Sequence, residues 1–498
     1  MKFTRRQFLK TSLAASAAGA IPSIWWRTAQ ALQPCESGVN LVIVHIAGGN
    51  DGINMVIPMS DGSKTNRTTY NAARPYIGVP VSELTATQIH NDPLSNGQLA
   101  LHPHFIGPSG TNGLQALYNS GNMAVAVGVH YPNKNLSHDD SSNIWYRADP
   151  TLDNGTSGWM GRTLDQLCTG QSTAVPAVDM NDQLTPLFYG NTSVLAFNSL
   201  GSLNLPFSGD IETRFTNIVN AASTAGTNFV KPIGAAAYAS ITKINAYQMA
   251  NPDLALNLND ILNGTNNGGK GHGVSGYPQG NSLASGLRDV YALMRGGPPG
   301  TPLGCRVFCV VIGGFDTHSQ QGMHVPLSTE SLVDKVKSDR DNGNQFRNQE
   351  YHGRLMHRVS NAIAAFWDDC KSANANLHKN TLIMTFSEFG RAVAENGADD
   401  SDSGTDHSTA APVFVIGPTQ TESNVGHWVN GNNVYGAYQD ITTMDDGNDY
   451  TGSGDPMFQL DFRHVYGEII NKWFGQTVGN TNTILGGGFS YTSHGILT

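Results

Sequence analysis

The sequence predicts an α/β fold in which a mostly parallel sheet is flanked by helices. Short apolar runs rich in β-branched residues occupy 40–46, 123–129, 306–312 and 381–385, and such runs are typical of strands buried on both faces. Helical patterns lie between the runs, and the clearest is an amphipathic segment at 344–374. Alternation of buried strands with helices indicates a parallel sheet, in which ligands bind beyond the carboxyl ends of the strands.

Weaker patterns complete the fold. Further strands are predicted at 175–178, 194–197 and 412–416, and a capped amphipathic helix is predicted at 461–475. Residues 200–300 differ from the rest, because they combine moderately helical segments with a Gly/Asn-rich loop. We interpret this region as a helical insertion or cap over the sheet.

The first residues carry an export signal. TRRQFLK at 4–10 has the paired arginines and the following Phe-Leu-Lys of a twin-arginine signal, and a weakly apolar, Ala-rich stretch follows at 13–26. Small residues around Ala31 predict cleavage there, which gives a signal of 1–31 and a mature domain of 32–498. We expect export through the twin-arginine translocase to the periplasm or the extracellular space.

Charge, hydropathy and cysteine content narrow the classes of partner. The formal net charge of −10 disfavours binding to nucleic acid or to an anionic membrane surface. No later run reaches the roughly 20 apolar residues of a membrane span, so we expect no stable span. The chain has five cysteines, and an odd number in an exported protein leaves at least one thiol over. The absence of a C-x-x-C motif argues against a zinc–thiolate site.

Two predicted strands lead into candidate functional residues near the start of the chain. Asp51 follows the first strand in AGGNDG at 47–52, where it is either a turn former or a ligand-binding group. Ser137 follows the second strand and precedes a helical pattern, so it suits a helix cap worth about 1 kcal/mol. The same position suits a nucleophile, because the helix dipole and a nearby metal would stabilise its alkoxide. Spacing alone favours the cap.

Metal-ligand residue types follow the strand at 306–312. Asp316 and His318 lie two residues apart on an extended segment, so both side chains face the same side. An Asp-x-His pair at the end of a strand is moderately specific for a metal. His352 and His357, on the amphipathic helix, are predicted to lie on the surface.

The strand at 381–385 and the run at 412–416 bring further polar residues to one place. Glu388 and Arg391 follow the first, and Asp406 and His407 directly precede the second. A hydroxyl, several carboxylates and two histidines at strand ends fit metal-assisted hydrolysis.

These residues lie in motifs that resemble those of the domain-of-unknown-function family 1501. The motifs are GGNDG at 48–52, SH at 137–138, GWMGR at 158–162, GGFDTH at 313–318, SEFGR at 387–391, GTDH at 404–407 and DFRHVY at 461–466. The resemblance covers nearly all of the mature chain in the same order. That family in turn resembles the alkaline phosphatase and sulfatase superfamily. The resemblance implies an alkaline-phosphatase-like fold and one or two divalent cations, with zinc, calcium and magnesium as the candidates.

The resemblance also implies roles for individual residues. Ser137 would be the nucleophile, and Arg391 or Arg162 would steady the anion, since a guanidinium suits phosphate or sulfate. The implied metal ligands are Asp51, Asp316, His318, Glu388 and His407.

One departure from the superfamily pattern weakens a metal site. Phe389 stands where a ligand histidine is expected, so one metal site is weakened or Asp406 or His138 substitutes. The x-Pro-x-Arg sequence that follows the oxidisable residue of sulfatases is absent after Ser137, which disfavours arylsulfatase chemistry.

The leading expectation is an exported metal-dependent hydrolase of phosphate or sulfate esters, acting on a small or polymeric anionic substrate. The alternative is a non-catalytic binding or cell-surface assembly protein on the same fold, which Phe389 favours. A serine hydrolase of carboxylic esters is weakened by the absence of a G-x-S-x-G motif.

Overall fold

A computed structural model describes most of the mature chain. The described residues are 38–106, 113–168, 176–192, 194–199, 281–295, 306–319, 321–322, 351–371, 376–397, 402–486 and 488–498. The signal at 1–31 and most of the predicted insertion, at 200–280, lie outside them.

The strands alternate with helices along the chain. The strands are β1 Asn40–Ile46, β2 Val56–Pro58, β3 Leu99–Leu101, β4 Met123–His130, β5 Ala177–Met180, β6 Leu195–Ala196, β7 Val307–Ile312, β8 Thr381–Phe386, β9 Gly390–Arg391, β10 His407–Ser408, β11 Ala411–Ile416, β12 Asn433–Gly436, β13 Asp440–Met444, β14 Pro456–Met457 and β15 Leu460–Asp461. The helices are α1 Gly52–Met55, α2 Asn66–Ala73, α3 Leu114–Asn119, α4 His138–Arg147, α5 Trp159–Leu167, α6 Ser282–Arg295, α7 Tyr351–Lys371, α8 Phe462–Glu468 and α9 Val478–Leu485. A π-helical turn, Ile469–Trp473, continues α8.

Within the described residues, nine strands form one central sheet in the order β12–β4–β11–β8–β1–β7–β5–β6, with β15 also paired to β4. β1 pairs in parallel with both β7 and β8, and the outer pairs are parallel as well. β11 alone runs antiparallel to its neighbours β4 and β8. The expected α/β class with a mostly parallel sheet is therefore confirmed.

The direction of β11 determines where the polar residues meet. The amino end of an antiparallel strand lies at the same edge as the carboxyl ends of its parallel neighbours. The segment before β11 therefore reaches the edge where β4, β7 and β8 end.

Helices cover both faces of the sheet. Leu41 and Ile43 of β1 pack on one side with α4, α5, α8 and α9, whereas Val42, Val44 and Ile46 pack on the other with α6 and α7. These five side chains are at most 1% exposed, so β1 lies at the centre of the fold. No helix among the described residues combines the length and the apolar character that crossing a membrane requires.

The predicted surface position of His352 and His357 is wrong. Both side chains are buried, because α7 packs against the turn that carries His102 and His104. Among the described cysteines, Cys309 and Cys370 are free and buried. Cys168 is in a disulfide whose partner lies outside the described residues.

Candidate metal centre

Three histidine rings converge on the carboxylate of Asp316 at the edge of the sheet. His407 Nε2 lies 3.1 Å and His318 Nε2 lies 3.2 Å from Asp316 Oδ1, and the two ring nitrogens are 2.9 Å apart. His138 Nε2 lies 3.5 Å from Asp316 Oδ2. Ligand atoms around a tetrahedral zinc ion are about 3.3 Å apart, since each metal–ligand bond is about 2.0–2.1 Å. The group His138, Asp316 and His407 thus has the composition and spacing of a metal-binding set, and His318 adjoins it.

The Nδ1 atom of each ring faces an acceptor outside this group. His407 Nδ1 lies 2.9 Å from the main-chain oxygen of Leu136, and His318 Nδ1 lies 3.1 Å from Asp406 Oδ1. His138 Nδ1 lies 2.8 Å from Glu388 Oε1. Because these acceptors carry no hydrogen, each Nδ1 donates, and in a neutral ring the Nε2 lone pair is then directed towards Asp316. Metal-binding histidines show the same pattern, in which the second nitrogen donates to a carboxylate or a carbonyl.

Two further observations fit a cation at this centre. Nε2 of His138 is buried and has no hydrogen-bond partner among the described residues. Two bare Nε2 atoms at 2.9 Å, those of His318 and His407, repel each other unless a proton or a metal lies between them.

Loop connections bring these residues together. Asp316 and His318 follow β7, and His138 is the first residue of α4, shortly after β4. His407 lies on β10, which pairs with β9 so that His407 is opposite Arg391. The antiparallel course of β11 then brings β10 to the same edge.

Arg391 is a buried support for the Asp316 side of the centre. Its guanidinium donates to Asp316 Oδ1 at 2.8 Å and to the main-chain oxygens of Gly48, Gly49, Phe315 and Thr405. Burial would raise the pKa of Asp316, but the hydrogen bond and the charge of Arg391 oppose burial, and the pKa is about 2. Arg391 therefore keeps Asp316 ionised, and its donors are already engaged within the protein.

Glu388 lies behind His138 and does not face the centre. Oε1 accepts hydrogen bonds from the Gly48 amide and His138 Nδ1, both at 2.8 Å, and Oε2 lies 3.1 Å from His45 Nε2. Burial would raise the pKa of Glu388, but the hydrogen bonds from His138 and His45 hold it well below its usual range. The bond to Glu388, in turn, raises the pKa of His138.

Asp406 is exposed and also lies outside the ring of Nε2 atoms. Its Oδ1 accepts from His318 Nδ1 and, at 3.0 Å, from Asn396 Nδ2. Asp406 thus orients His318, as Glu388 orients His138.

Asp51 is fully buried in a separate ion pair. Its Oδ2 accepts from Arg74 Nη1 and from Gln321 Nε2, both at 2.6 Å. Burial would raise the pKa of Asp51, but the charge of Arg74 lowers it below the usual range. Its carboxylate also caps α1 through the Asn54 amide.

The remaining predicted site residues lie in different surroundings. Ser137 is exposed and caps α4, with Oγ 3.5 Å from the Asp140 amide, and its chain neighbours Leu136 and His138 both contact the centre. Arg162 donates only within its own surroundings, to the main-chain oxygens of Ile484, Ser157 and Arg147 and to the Ser157 hydroxyl.

Phe389 fills the space beside the centre. Its ring centroid is 4.9 Å from that of His138 and 4.5 Å from that of His407. Gly49 makes room for it, since a Cβ on Gly49 would lie 2.0 Å from Phe389 Cε2.

The comparisons with known proteins support two of the sequence interpretations. Residues 2–22 match the twin-arginine translocation pathway signal sequence, which directs export to the periplasm or the extracellular space and implies contact with the translocase. Residues 302–429 match the family described as "Protein of unknown function (DUF1501)". The matched part includes Asp316, His318 and His407 but not His138. The resemblance to the alkaline phosphatase and sulfatase superfamily stays a prediction.

Solved structures and curated proteins add little. A structure described as "Crystal structure of Ps i-CgsB in complex with k-i-k-neocarrahexaose" is 10% identical, with a TM-score of 0.30 over 89% of this chain and 73% of that chain. A second, "Crystal structure of Ps i-CgsB", is also 10% identical, with a TM-score of 0.22 over 80% of this chain and 68% of that chain. Neither likeness is close enough to assign a function. No curated protein matches the sequence.

The sequence predicted His138 only as a substitute ligand. It did not predict roles for His45, Tyr146 or Arg74. His45 and Tyr146 contact each other behind Glu388, and Arg74 pairs with Asp51. A signal for His138 was present, because it directly follows the serine singled out at the end of β4. No local signal marked His45 or Tyr146, since they are 101 positions apart and His45 is 343 positions from Glu388.

Proposed function

We propose that this chain is an exported metal-dependent hydrolase of phosphate or sulfate esters. The observation that supports it most strongly is the convergence of three histidine Nε2 atoms on Asp316, with the exposed Ser137 directly before His138 in the chain. The substrate class comes from the family resemblance, and the metal chemistry comes from the donor set.

The proposed ligands are His138, Asp316, His318 and His407. Imidazole nitrogens favour zinc or a similar transition ion over calcium or magnesium, which prefer oxygen ligands. One ion rather than two is proposed, because the carboxylates of Asp51 and Glu388 are engaged elsewhere. A divalent metal bound there would supply a Lewis acid for ester hydrolysis.

Other residues around the proposed site determine substrate access and supply the nucleophile. The side chains of Asp316 and His318 are 48% and 46% exposed, which leaves the centre open to a substrate. Ser137 would attack phosphorus or sulfur, its proton would pass to the departing alcohol, and water would then release the anion. Arg391 and Arg162 are left out of anion binding, since their donors are bound to carbonyl oxygens.

The test begins with the metal content of mature protein after native export, measured by elemental mass spectrometry. We expect one equivalent of zinc or a similar ion, lost in Asp316→Asn and retained in Asp449→Asn, a control at an exposed loop carboxylate. Turnover of p-nitrophenyl phosphate and p-nitrophenyl sulfate should then be lost in Ser137→Ala while the metal remains. Folded wild-type protein without metal would overturn the proposal, and unchanged turnover in Ser137→Ala would remove the nucleophile.

A second candidate is a non-catalytic metal-binding or surface-assembly protein. Two observations favour it, namely Phe389 packed against His138 and His407 and two arginines that are engaged within the fold. Stoichiometric metal without turnover of either ester would support this candidate over the enzyme.

A further inference from the structure

Helix α4 is attached to Glu388 at both of its ends. At the first turn, His138 Nδ1 donates to Glu388 Oε1 at 2.8 Å. In the last turn, Trp145 Nε1 donates to the main-chain oxygen of Glu388 at 2.8 Å. The next residue, Tyr146, hydrogen-bonds to His45, and His45 in turn contacts the other carboxylate oxygen of Glu388. The helix that carries a proposed metal ligand is therefore fixed to one buried residue by three routes, two of which reach its carboxylate.

The direction of each hydrogen bond in the third route is determined. A carboxylate only accepts, so His45 Nε2 carries the hydrogen in its 3.1 Å contact with Glu388 Oε2. In a neutral ring, Nδ1 of His45 then accepts from the Tyr146 hydroxyl, at 2.6 Å. The route thus runs from Tyr146 to His45 to Glu388, and each donor has an acceptor.

The rings of this route have little freedom. The His45 ring stacks on Phe386, with centroids 4.5 Å apart and planes 5° from parallel. Tyr146 meets the same ring edge-on, at 5.4 Å and 87°. His45 and Tyr146 are 3% and 7% exposed, so water cannot readily replace either partner.

We propose that Tyr146 and His45 are positioning residues for the metal centre, because they hold the Glu388 carboxylate in the orientation that directs His138 Nε2 towards Asp316. The proposal rests on the metal-binding part of the proposed function. Neither residue touches the metal or the substrate. Removing a group that hydrogen-bonds directly to a metal ligand, as Glu388 does to His138, typically changes metal affinity by about 10- to 100-fold.

Tyr146→Phe tests the proposal with a matched control. The substitution keeps the ring and removes only the hydroxyl that His45 accepts. Tyr466→Phe makes the same chemical change at another buried tyrosine, whose hydroxyl donates at 3.1 Å to the main-chain oxygen of Trp145 on the same helix. Each variant loses one buried hydrogen bond that involves α4. Only Tyr146→Phe interrupts the route from Tyr146 through His45 to Glu388.

The measurements are the zinc dissociation constant of the full mature protein, by chelator competition, and the melting temperature of the metal-free protein. We expect Tyr146→Phe to weaken zinc binding by roughly tenfold, at the lower end of the range for outer partners. Tyr146→Phe and Tyr466→Phe should lower the melting temperature by similar amounts. Tyr466→Phe should leave zinc binding within about twofold, because its hydroxyl bonds a main-chain oxygen of α4 and is not part of the hydrogen bonds that orient the Glu388 carboxylate. His45→Phe should weaken zinc binding at least as much as Tyr146→Phe.

The outcomes separate this proposal from the proposed function. Wild-type protein that binds no zinc overturns the metal centre and this proposal together. Wild-type protein that binds zinc while Tyr146→Phe and Tyr466→Phe bind it equally well overturns only the positioning role. Nitrogen-15 spectra of the imidazoles in metal-free protein give a second readout. They should show hydrogen on Nδ1 of His138 in the wild type and a mixture of tautomers in Tyr146→Phe.

Discussion

Replacing Asp51 with asparagine distinguishes a buried structural carboxylate from a metal ligand. Asp51 Oδ2 accepts from Arg74 and Gln321 at 2.6 Å, and the side chains of Asp51 and Arg74 are both 0% exposed. The remaining donors of Arg74 are bound to the main-chain oxygens of Val393 and Ala392. Asp51→Asn would therefore leave a buried guanidinium with neutral partners only.

The expected loss in the free energy of unfolding can be estimated from the burial of the Asp51–Arg74 pair. Removing one partner of a buried ion pair costs about 3–5 kcal/mol. Unfolding entropy of about 2.1 cal/mol/K per residue gives about 1 kcal/mol/K for 498 residues, so the melting temperature should fall by about 3–5 °C. The pKa of Asp51 is lowered from 3.8 in the folded chain, so its contribution is fully present above pH 3.8. The difference between wild type and variant should shrink as the pH falls below that value.

Thermal unfolding and zinc content of Asp51→Asn, measured together, provide the assay. Asp316→Asn is the matched comparison, since it makes the same change at a carboxylate that is 48% exposed. We expect Asp51→Asn to lose stability and keep its zinc when folded. Asp316→Asn should lose zinc and also lower the metal-free melting temperature, because it removes the one charged partner that Arg391 has among the described residues, but by less than Asp51→Asn, since Asp316 is 48% exposed. An Asp51→Asn protein with unchanged melting temperature and no zinc would refute the assignment.

Three further substitutions test other parts of the structure. Burial raises the pKa of Asp179 from 3.8 to about 7. Between pH 3.8 and about 7 the folded chain therefore keeps a proton that the unfolded chain has lost, so the free energy of unfolding falls as the pH rises through this range. Asp179→Asn should remove this dependence and raise the free energy of unfolding by up to about 4 kcal/mol at pH 8, with little change at pH 4, in urea titrations. Gly49→Ala should lower the free energy of unfolding by about 1–3 kcal/mol, because the new methyl group would displace the Phe389 ring that packs on two proposed ligands. The same displacement should weaken zinc binding in chelator competition, and an unchanged zinc affinity would contradict this reasoning. Arg162→Met should lower the melting temperature without changing zinc affinity or turnover, since its donors serve nearby main-chain oxygens and the Ser157 hydroxyl, whereas lost turnover at unchanged stability would point to anion binding.

Strands were more predictable than their directions. The apolar runs at 40–46 and 381–385 predicted β1 and β8 almost to the residue, because strands covered on both faces require continuous apolar sequence. The antiparallel course of β11 was not predicted, since an apolar run has the same pattern in both directions. A signal was nevertheless present in the segment before β11, which lacks the helical pattern that a parallel crossover usually contains.

Residue types at the site were predictable, but their partners were not. The rule that ligands bind where strands end led to Asp51, Asp316, Glu388 and His407 alike. Their roles diverge because of partners that are often far away in sequence, such as His138 and Gly48, which are 250 and 340 positions from the Glu388 carboxylate that they contact. Tertiary packing supplies these partners, so a single sequence carries no local record of them.

The carboxylates near the centre illustrate why hydrogen bonding decides which group binds a metal. Both oxygens of Glu388 and the Oδ2 atom of Asp51 accept hydrogen bonds from buried or partly buried donors. A metal ion at either carboxylate would have to displace those donors and leave them unpaired, at a cost of about 1–3 kcal/mol for each neutral one. Asp316 differs, because Arg391 keeps it ionised through Oδ1, while Oδ2 lies 3.5 Å from Nε2 of His138, an atom without a hydrogen-bond partner among the described residues. Asp316 therefore combines a retained charge with an unused lone pair directed at ring nitrogens that lack hydrogen, which are the properties that a metal ligand needs.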